Sequence, residues 1–317
     1  MNIHVPQTLE ARAETLHLMG VTQNIVTPKS GEPIIALIQD FLTTSFLLTS
    51  KDTFLTRQQF TAVLSWFTDA NELVDLPAPA ILKPVCLWTG KQVISAVLRP
   101  NRLARVMVNF STQEKMLYRG RECMSPEDGW VIFRNSELLC GQIGKSTLGG
   151  NKSGLIYHLL RDNNSKVACE IMHRIAKLSS RWLSNQGMTI GISDVTASPA
   201  LHDKNLTVID KAHHEYRRYR EMYQQGQLEA KPGMSVEETL ESHLKTTLSS
   251  VREEVGKNCL AMLDRDNKPL IMSLCGSKGN PVNLSQMIGC LGQQTVQGKR
   301  IPFGFTERSL PHFPRLT

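Results

Sequence analysis

Apolar residues recur at helical spacing over several stretches of this chain. Residues 9–19 carry Leu9, Ala13 and Leu16 along one line and Ala11, Thr15 and Leu18 along another, with Thr8 ahead as a cap; this predicts a short helix. Residues 57–67 place Phe60, Val63, Leu64 and Phe67 at i, i+3, i+4 and i+7, a helical stripe. Residues 34–49 are apolar except for Gln39-Asp40, which predicts burial, and the pattern there fits strand and helix equally. Thr27-Pro28-Lys29-Ser30-Gly31-Glu32-Pro33 is a turn-rich break. Pro77, Pro79 and Pro84 force an extended path over residues 76–84. Across residues 93–139 the pattern predicts short β-like runs at Val106-Met107-Val108, Trp130-Val131-Ile132-Phe133 and Leu138-Leu139-Cys140, separated by turn residues such as Pro126-Glu127-Asp128-Gly129. After Gly149-Gly150 the pattern turns helical, over residues 155–161, 167–183, 206–224 and 236–255. Gly226, Pro232 and Gly233 mark a turn between the last two, and Ser235 with Glu238 forms a capping-box pattern. The expected fold class is α+β: a mixed α/β part, then a mainly helical part with paired long antiparallel helices. A break is expected near residues 185–196, where Gln186-Gly187 and Gly191-Ile192-Ser193-Asp194 interrupt the helical pattern.

Composition narrows the class only a little. A chain of 317 residues with 41% hydrophobic residues has material for a core and for two or three domains. It is too apolar for a disordered chain, and 21 glycines, 15 prolines and 7 cysteines exclude a collagen or a disulfide scaffold. Cys86, Cys123, Cys140, Cys169, Cys259, Cys275 and Cys290 include no Cys-x-x-Cys pair, which argues against a zinc ribbon and for buried free thiols in a reducing compartment. No secretory leader pattern is present, and apolar runs such as residues 34–38 fall far short of the roughly 20 residues that span a bilayer. The expectation is an intracellular, soluble, mildly basic protein.

The common catalytic motifs are absent: no Gly-x-x-x-x-Gly-Lys-Ser/Thr, no His-Glu-x-x-His and no Gly-x-Ser-x-Gly. Gly144-Lys145-Ser146 lacks the upstream glycine and reads as an ordinary turn. His213 and His214 point about 100° apart on a helix, which suits a solvated surface better than one metal. Arg217, Arg218 and Arg220 beside Glu215 and Glu221 read as a solvated mixed-charge face. Residues 271–317 differ. Lys278, Lys299, Arg300, Arg308 and Arg315 stand against Glu307 alone, giving +4 of the chain's +7. Gly276, Gly279, Gly289, Gly292, Gly298 and Gly304 accompany the amides Asn280, Asn283, Gln286, Gln293, Gln294 and Gln297. Glycine admits close backbone approach, and cations without acidic partners attract phosphate. On composition alone, a phosphate-facing surface and an ordinary glycine-rich loop with exposed cations stand level.

The motifs themselves go further. Gly276-Ser277-Lys278-Gly279, Asn283-Leu284-Ser285-Gln286-Met287, Gly292-Gln293-Gln294, Gly298-Lys299-Arg300-Ile301-Pro302-Phe303-Gly304-Phe305 and Arg308-Ser309-Leu310-Pro311-His312-Phe313 follow in order. This run resembles the funnel region of the largest subunit of multisubunit DNA-directed RNA polymerases. Met1-Asn2-Ile3-His4-Val5-Pro6-Gln7-Thr8 resembles the segment directly after that family's active-site loop. Gly31-Glu32-Pro33, Gln39-Asp40, Lys83-Pro84, Leu87-Trp88-Thr89-Gly90-Lys91-Gln92 and Gly191-Ile192-Ser193-Asp194 lie between them in the family's order, so the resemblance covers residues 1–313. Leu47-Leu48-Thr49 with Lys51-Asp52-Thr53-Phe54, Ile81-Leu82-Lys83-Pro84 and Asn135-Ser136-Glu137-Leu138 look most like the eukaryotic polymerase III subunit; Gly298-Lys299-Arg300-Ile301 is nearer to polymerase II.

The resemblance implies a tail of the active-site domain over residues 1–26, a pore domain over 27–187 and a funnel domain over 188–317. It implies that Lys278, Lys299 and Arg300 line the channel through which nucleoside triphosphates enter. It implies that Gln286, Gln293, Gln294 and Gly298 lie near the bridge helix and trigger loop, where amanitin binds in related enzymes. The family's three aspartates, which hold the catalytic Mg2+, are absent from this sequence, as are the bridge helix and trigger loop; a fragment of a larger subunit, inactive alone and without a catalytic or metal-ligating residue of its own, is therefore expected. The implied partners are the other polymerase subunits, including the second-largest, DNA template, RNA, nucleoside triphosphates and a transcript-cleavage factor or subunit, with no membrane. The implied location is the nucleus, or the cytoplasm for an archaeal-like enzyme. A stand-alone nucleic-acid-binding or interaction module derived from such a segment is the alternative, and a self-sufficient nucleotidyltransferase a third reading.

Overall fold

The computed structural model describes residues 2–114 and 128–300. The chain divides into two compact units. One comprises Met1–Ile190 with Ile271–Gly279, the other Gly191–Leu270 with Asn280–Thr317.

The first unit begins with helix α1 (Leu9–His17), which Thr8 caps by accepting from the Ala11 amide, and which buries none of its residues. The ambiguous apolar stretch resolves as helix α2 (Asp40–Leu48), with Leu42, Phe46 and Leu48 buried. Ile34 and Ile38 lie ahead of that helix and are exposed, against the expectation of burial for all of residues 34–49.

A local pattern then occurs twice. Strand β1 (Phe54–Thr56) feeds helix α3 (Arg57–Ser65), and strand β2 (Leu87–Thr89) feeds helix α4 (Gly90–Leu98). Each junction is a capping box, Thr56 with Gln59 and Thr89 with Gln92, in which the threonine hydroxyl accepts from the glutamine amide and the glutamine side chain accepts from the threonine N–H. The two strands pair antiparallel, with Leu55 opposite Trp88. Their helices bury Phe60, Val63 and Leu64 on one side and Val93, Ile94 and Val97 on the other. The β-like pattern expected from residue 93 onward is thus wrong over α4. Val93, Ile94 and Val97 read as strand residues by propensity, yet cap and burial impose the helix. Gly90 is required here, because a Cβ would sit 1.8 Å from the Leu48 carbonyl oxygen.

Strands β3 (Phe110–Gln113), β4 (Trp130–Arg134) and β5 (Glu137–Cys140) form an antiparallel sheet in that order. Val106-Met107-Val108 stays outside it; the Val108 amide donates to the Ser136 hydroxyl instead. The one-turn helix α5 (Lys145–Leu148) replaces the turn expected at Gly144-Lys145-Ser146. Helices α6 (Leu155–Asp162) and α7 (Ser165–Gln186) complete the core, α7 burying Ala168, Ile171, Ile175, Leu178 and Trp182 at helical spacing. Buried Arg174 on α7 bonds Glu72 at 2.7 Å and the Val97 carbonyl at 3.2 Å, so its charge is compensated.

The second unit contains the one-turn helix α8 (Ile192–Val195) and the long pair α9 (Pro199–Gln224) and α10 (Val236–Met262). Ser198 caps α9 with Pro199 in the first turn, and Ser235 with Glu238 closes the expected capping box on α10. Helix α11 (Lys268–Cys275) carries the chain back to the first unit. Helix α12 (Pro281–Ile288), capped by Asn280, packs on α10, where a Cβ on Gly289 would meet Val255 at 2.5 Å. A short hairpin of β6 (Thr295–Val296) and β7 (Lys299–Arg300) ends the described chain.

Candidate functional site

Residues 271–300 hold the described share of the glycine- and cation-rich stretch. Residues 301–317, with Arg308 and Arg315, lie outside the described residues. Lys278 follows α11 in the first unit. Gly276 and Gly279, at φ +77° and +74°, turn the chain there, and the Ser277 amide donates to the Met272 carbonyl at 3.1 Å, satisfying an end-of-helix acceptor. Gly276 also lies against Lys145, where a Cβ would be 2.7 Å from that side chain's Cβ. The turn leaves Lys278 exposed, with no side-chain hydrogen bond or ion pair among the described residues.

The other expected site residues belong to the second unit. Gln286 is half-buried on α12 and donates to the Leu291 carbonyl at 3.2 Å; Gln294 donates to the same oxygen at 3.4 Å. Gln293 donates to the Gln294 carbonyl at 2.8 Å. These amides fold residues 286–294 onto themselves, and Gly292 at φ +76° lets the backbone pass Arg252. Gln297 and Gly298 both have positive φ, +49° and +79°, the two-residue turn whose twist suits a tight hairpin.

The two hairpin cations differ. Arg300 makes a bidentate pair with Glu241 on α10, with Nε–Oε1 at 2.8 Å and the second bond at 2.9 Å. Its guanidinium also lies 6.0 Å from the Tyr216 ring centre on α9. The bond from Arg300 holds the Glu241 carboxyl below the usual glutamate range despite partial burial, and Glu241 in turn raises Arg300. Lys299 is exposed, and its side chain makes no hydrogen bond or close ion pair among the described residues, though, after the Ser235 hydrogen bonds, its charge helps hold the Glu238 carboxyl below the usual glutamate range. Lys245 on α10 donates to the Gly298 carbonyl at the hairpin tip. Beside the hairpin runs a groove of about 960 Å³, lined by Tyr223, Met234, Ser235, Glu238, Glu241 and Lys299 among others.

The sequence pointed to Lys299 and Arg300 and missed Glu241, Lys245 and Tyr216. Glu241 and Lys245 look like one more i, i+4 surface pair on a helix. Their partners lie more than fifty positions away in sequence, at a distance no local pattern encodes. His213 and His214 are exposed on α9, on the solvated face expected of them. Among the described residues, no three His, Cys, Asp or Glu side chains come together to hold a metal ion.

Comparison with known proteins decides the family. The model for RNA polymerase Rpb1, domain 3, matches residues 24–195, more than half of the chain. The chain belongs to the Rpb1 family. The model for Rpb1, domain 4, matches residues 220–317, so the two Rpb1 domains cover the mixed α/β part and most of the helical part in order. Among Rpb1 relatives, the chain is 49% identical to DNA-directed RNA polymerase III subunit rpc1 of Dictyostelium discoideum over 314 residues. It is 47% identical to subunit RPC1 of Saccharomyces cerevisiae over 321 residues and 46% identical to that of Homo sapiens over 319. These alignments take in 99% of this chain but only 22–23% of each relative, so the chain spans under a quarter of their length. The expected likeness to the polymerase III largest subunit holds.

Proposed function

We propose that this chain is the pore and funnel segment of the largest subunit of a nuclear RNA polymerase of the third class, and that it lines the channel by which nucleoside triphosphates reach the active site. The observation that carries the reading is the alignment of nearly the whole of this chain with polymerase III subunits, together with two exposed lysines, Lys278 and Lys299, that make no close ion pair among the described residues. Fixed positive charge in a confined channel raises the local concentration of a polyanionic substrate and speeds its arrival. The amides of Gln286, Gln293 and Gln294 and the turn at Gly298 shape the wall that carries Lys299. Arg300 belongs to that wall, but its charge is balanced by Glu241.

In the complete enzyme the segment works with the second-largest and other subunits, DNA template and RNA, and a transcript-cleavage factor enters at the funnel. Catalytic Mg2+ is held by parts of the enzyme other than the residues described here. The chain alone extends no primer; extension by the purified chain, freed of contaminating polymerase, would contradict this. A direct test is Lys278→Glu in a complete polymerase carrying the segment. The apparent KM for nucleotides should rise on the order of threefold to tenfold at low salt, and less at physiological salt, where charges are screened beyond about 8 Å. A KM that stays unchanged at every salt concentration would overturn the steering role.

A further inference from the structure

The hairpin of β6 and β7 is too small to hold itself. Each strand has two residues, Thr295 and Val296 are both exposed, and hairpins of this kind are marginal in water even when longer. What fixes it comes from the helix pair. Glu241 and Lys245 lie four positions apart on α10 and so share one face of that helix. Glu241 grips the base of the hairpin through both oxygens on Arg300, and Lys245 grips the tip through the Gly298 carbonyl. Tyr216 on α9 lies beneath the Arg300 guanidinium, so the base is tied to both long helices. A bidentate arginine–carboxylate pair fixes orientation as well as distance, which a single contact would not. Its second effect is electrostatic. The guanidinium fork is filled by a carboxylate, whereas Lys299, between the two anchored positions, makes no close ion pair among the described residues and meets only the longer-range attraction of Glu238 on α10.

We infer that Glu241 and Lys245 are positioning residues that latch the 295–300 hairpin to α10, so that Lys299 rather than Arg300 is the charge the hairpin offers to a triphosphate. The last clause rests on the nucleotide-channel reading proposed above; the latch does not. Arg300 is then an anchor. Replacing it should act through hairpin order, whereas replacing Lys299 should act through charge alone.

The test uses complete polymerase whose largest subunit carries this segment, with Glu241→Gln, Lys245→Met, Lys299→Met and the exchange of Glu241→Arg with Arg300→Glu. Hydrogen exchange is read at the amides of residues 295–300, and the KM for nucleotides is measured beside kcat. Glu241→Gln and Lys245→Met should each speed exchange of the hairpin amides at least several-fold and raise KM more than they lower kcat. The exchange double variant should return hairpin exchange to within about twofold of the parent, a rescue that mere loss of folding would not show. Lys299→Met should raise KM and leave hairpin exchange unchanged. Unaltered hairpin exchange in both Glu241→Gln and Lys245→Met would overturn the latch, whatever KM does. Faster exchange restored by the double variant, with KM indifferent to Lys299→Met, would uphold the latch and overturn the role given to Lys299 in the channel.

Discussion

Glu114 is 6% exposed, and its carboxylate accepts from the backbone amides of Gly144, Ser146 and Thr147 and from the Thr147 hydroxyl. Those amides open a one-turn helix, where the first N–H groups lack a full set of acceptors within the helix; the Thr147 amide also reaches the Gly144 carbonyl at 3.2 Å. The side chain thus supplies the anion that such a backbone cradle prefers, and it ties the end of β3 to α5. Gly144-Lys145-Ser146 read as a plain turn because nothing near it in sequence announces a carboxylate thirty positions away. Glu114→Ala removes the acceptor and leaves the donors behind, at a cost of about 3 kcal/mol, while Glu114→Gln keeps one acceptor and costs less. All four tryptophans, Trp66, Trp88, Trp130 and Trp182, lie in the first unit, so tryptophan fluorescence during urea unfolding of the chain reports on that unit. An Ala variant within about 0.5 kcal/mol of the parent would show that the cradle needs no anion.

Among the elements, those defined by their own residues were readable from sequence. The stripe Phe60, Val63, Leu64 and Phe67 gave α3, and Ser235 with Glu238 marked the start of α10 where the structure has it. The long helices extend beyond their predicted limits, α9 back to Pro199 and α10 on to Met262, because end turns are held by caps and packing rather than by apolar period. Elements that depend on distant partners were not readable. Helix α4 looked like strand because its β-branched residues carry strand propensity, and only the Thr89–Gln92 box hinted otherwise. The 295–300 hairpin has a glycine turn signal but no apolar alternation, since salt bridge and lysine contact hold it in place of burial. The same division runs through the candidate site: the cations Lys278, Lys299 and Arg300 were legible as residue types, whereas the pairing of Arg300 depends on Glu241 of α10 and Tyr216 of α9.

At the scale of the whole molecule, the chain forms two units and visits the first one twice, returning through α11 to place residues 271–279 there. Lys278 is thus carried by the first unit and Lys299 by the second. Many exposed apolar side chains, including Val5, Leu9, Leu16, Leu18 and Met19 around α1, fit a segment that spans under a quarter of its relatives' length. Among the described residues, no helix is long and apolar enough to cross a membrane. The central claim is that nucleoside triphosphates pass along this segment in the complete enzyme. It is tested most directly with a nucleoside triphosphate bearing a photoreactive group on its γ-phosphate, cross-linked to a complete polymerase carrying the segment and mapped by peptide. The account predicts adducts on the peptides that hold Lys278 and Lys299, suppressed by excess unlabelled nucleotide. Adducts confined to other parts of an enzyme that still incorporates the nucleotide would contradict it.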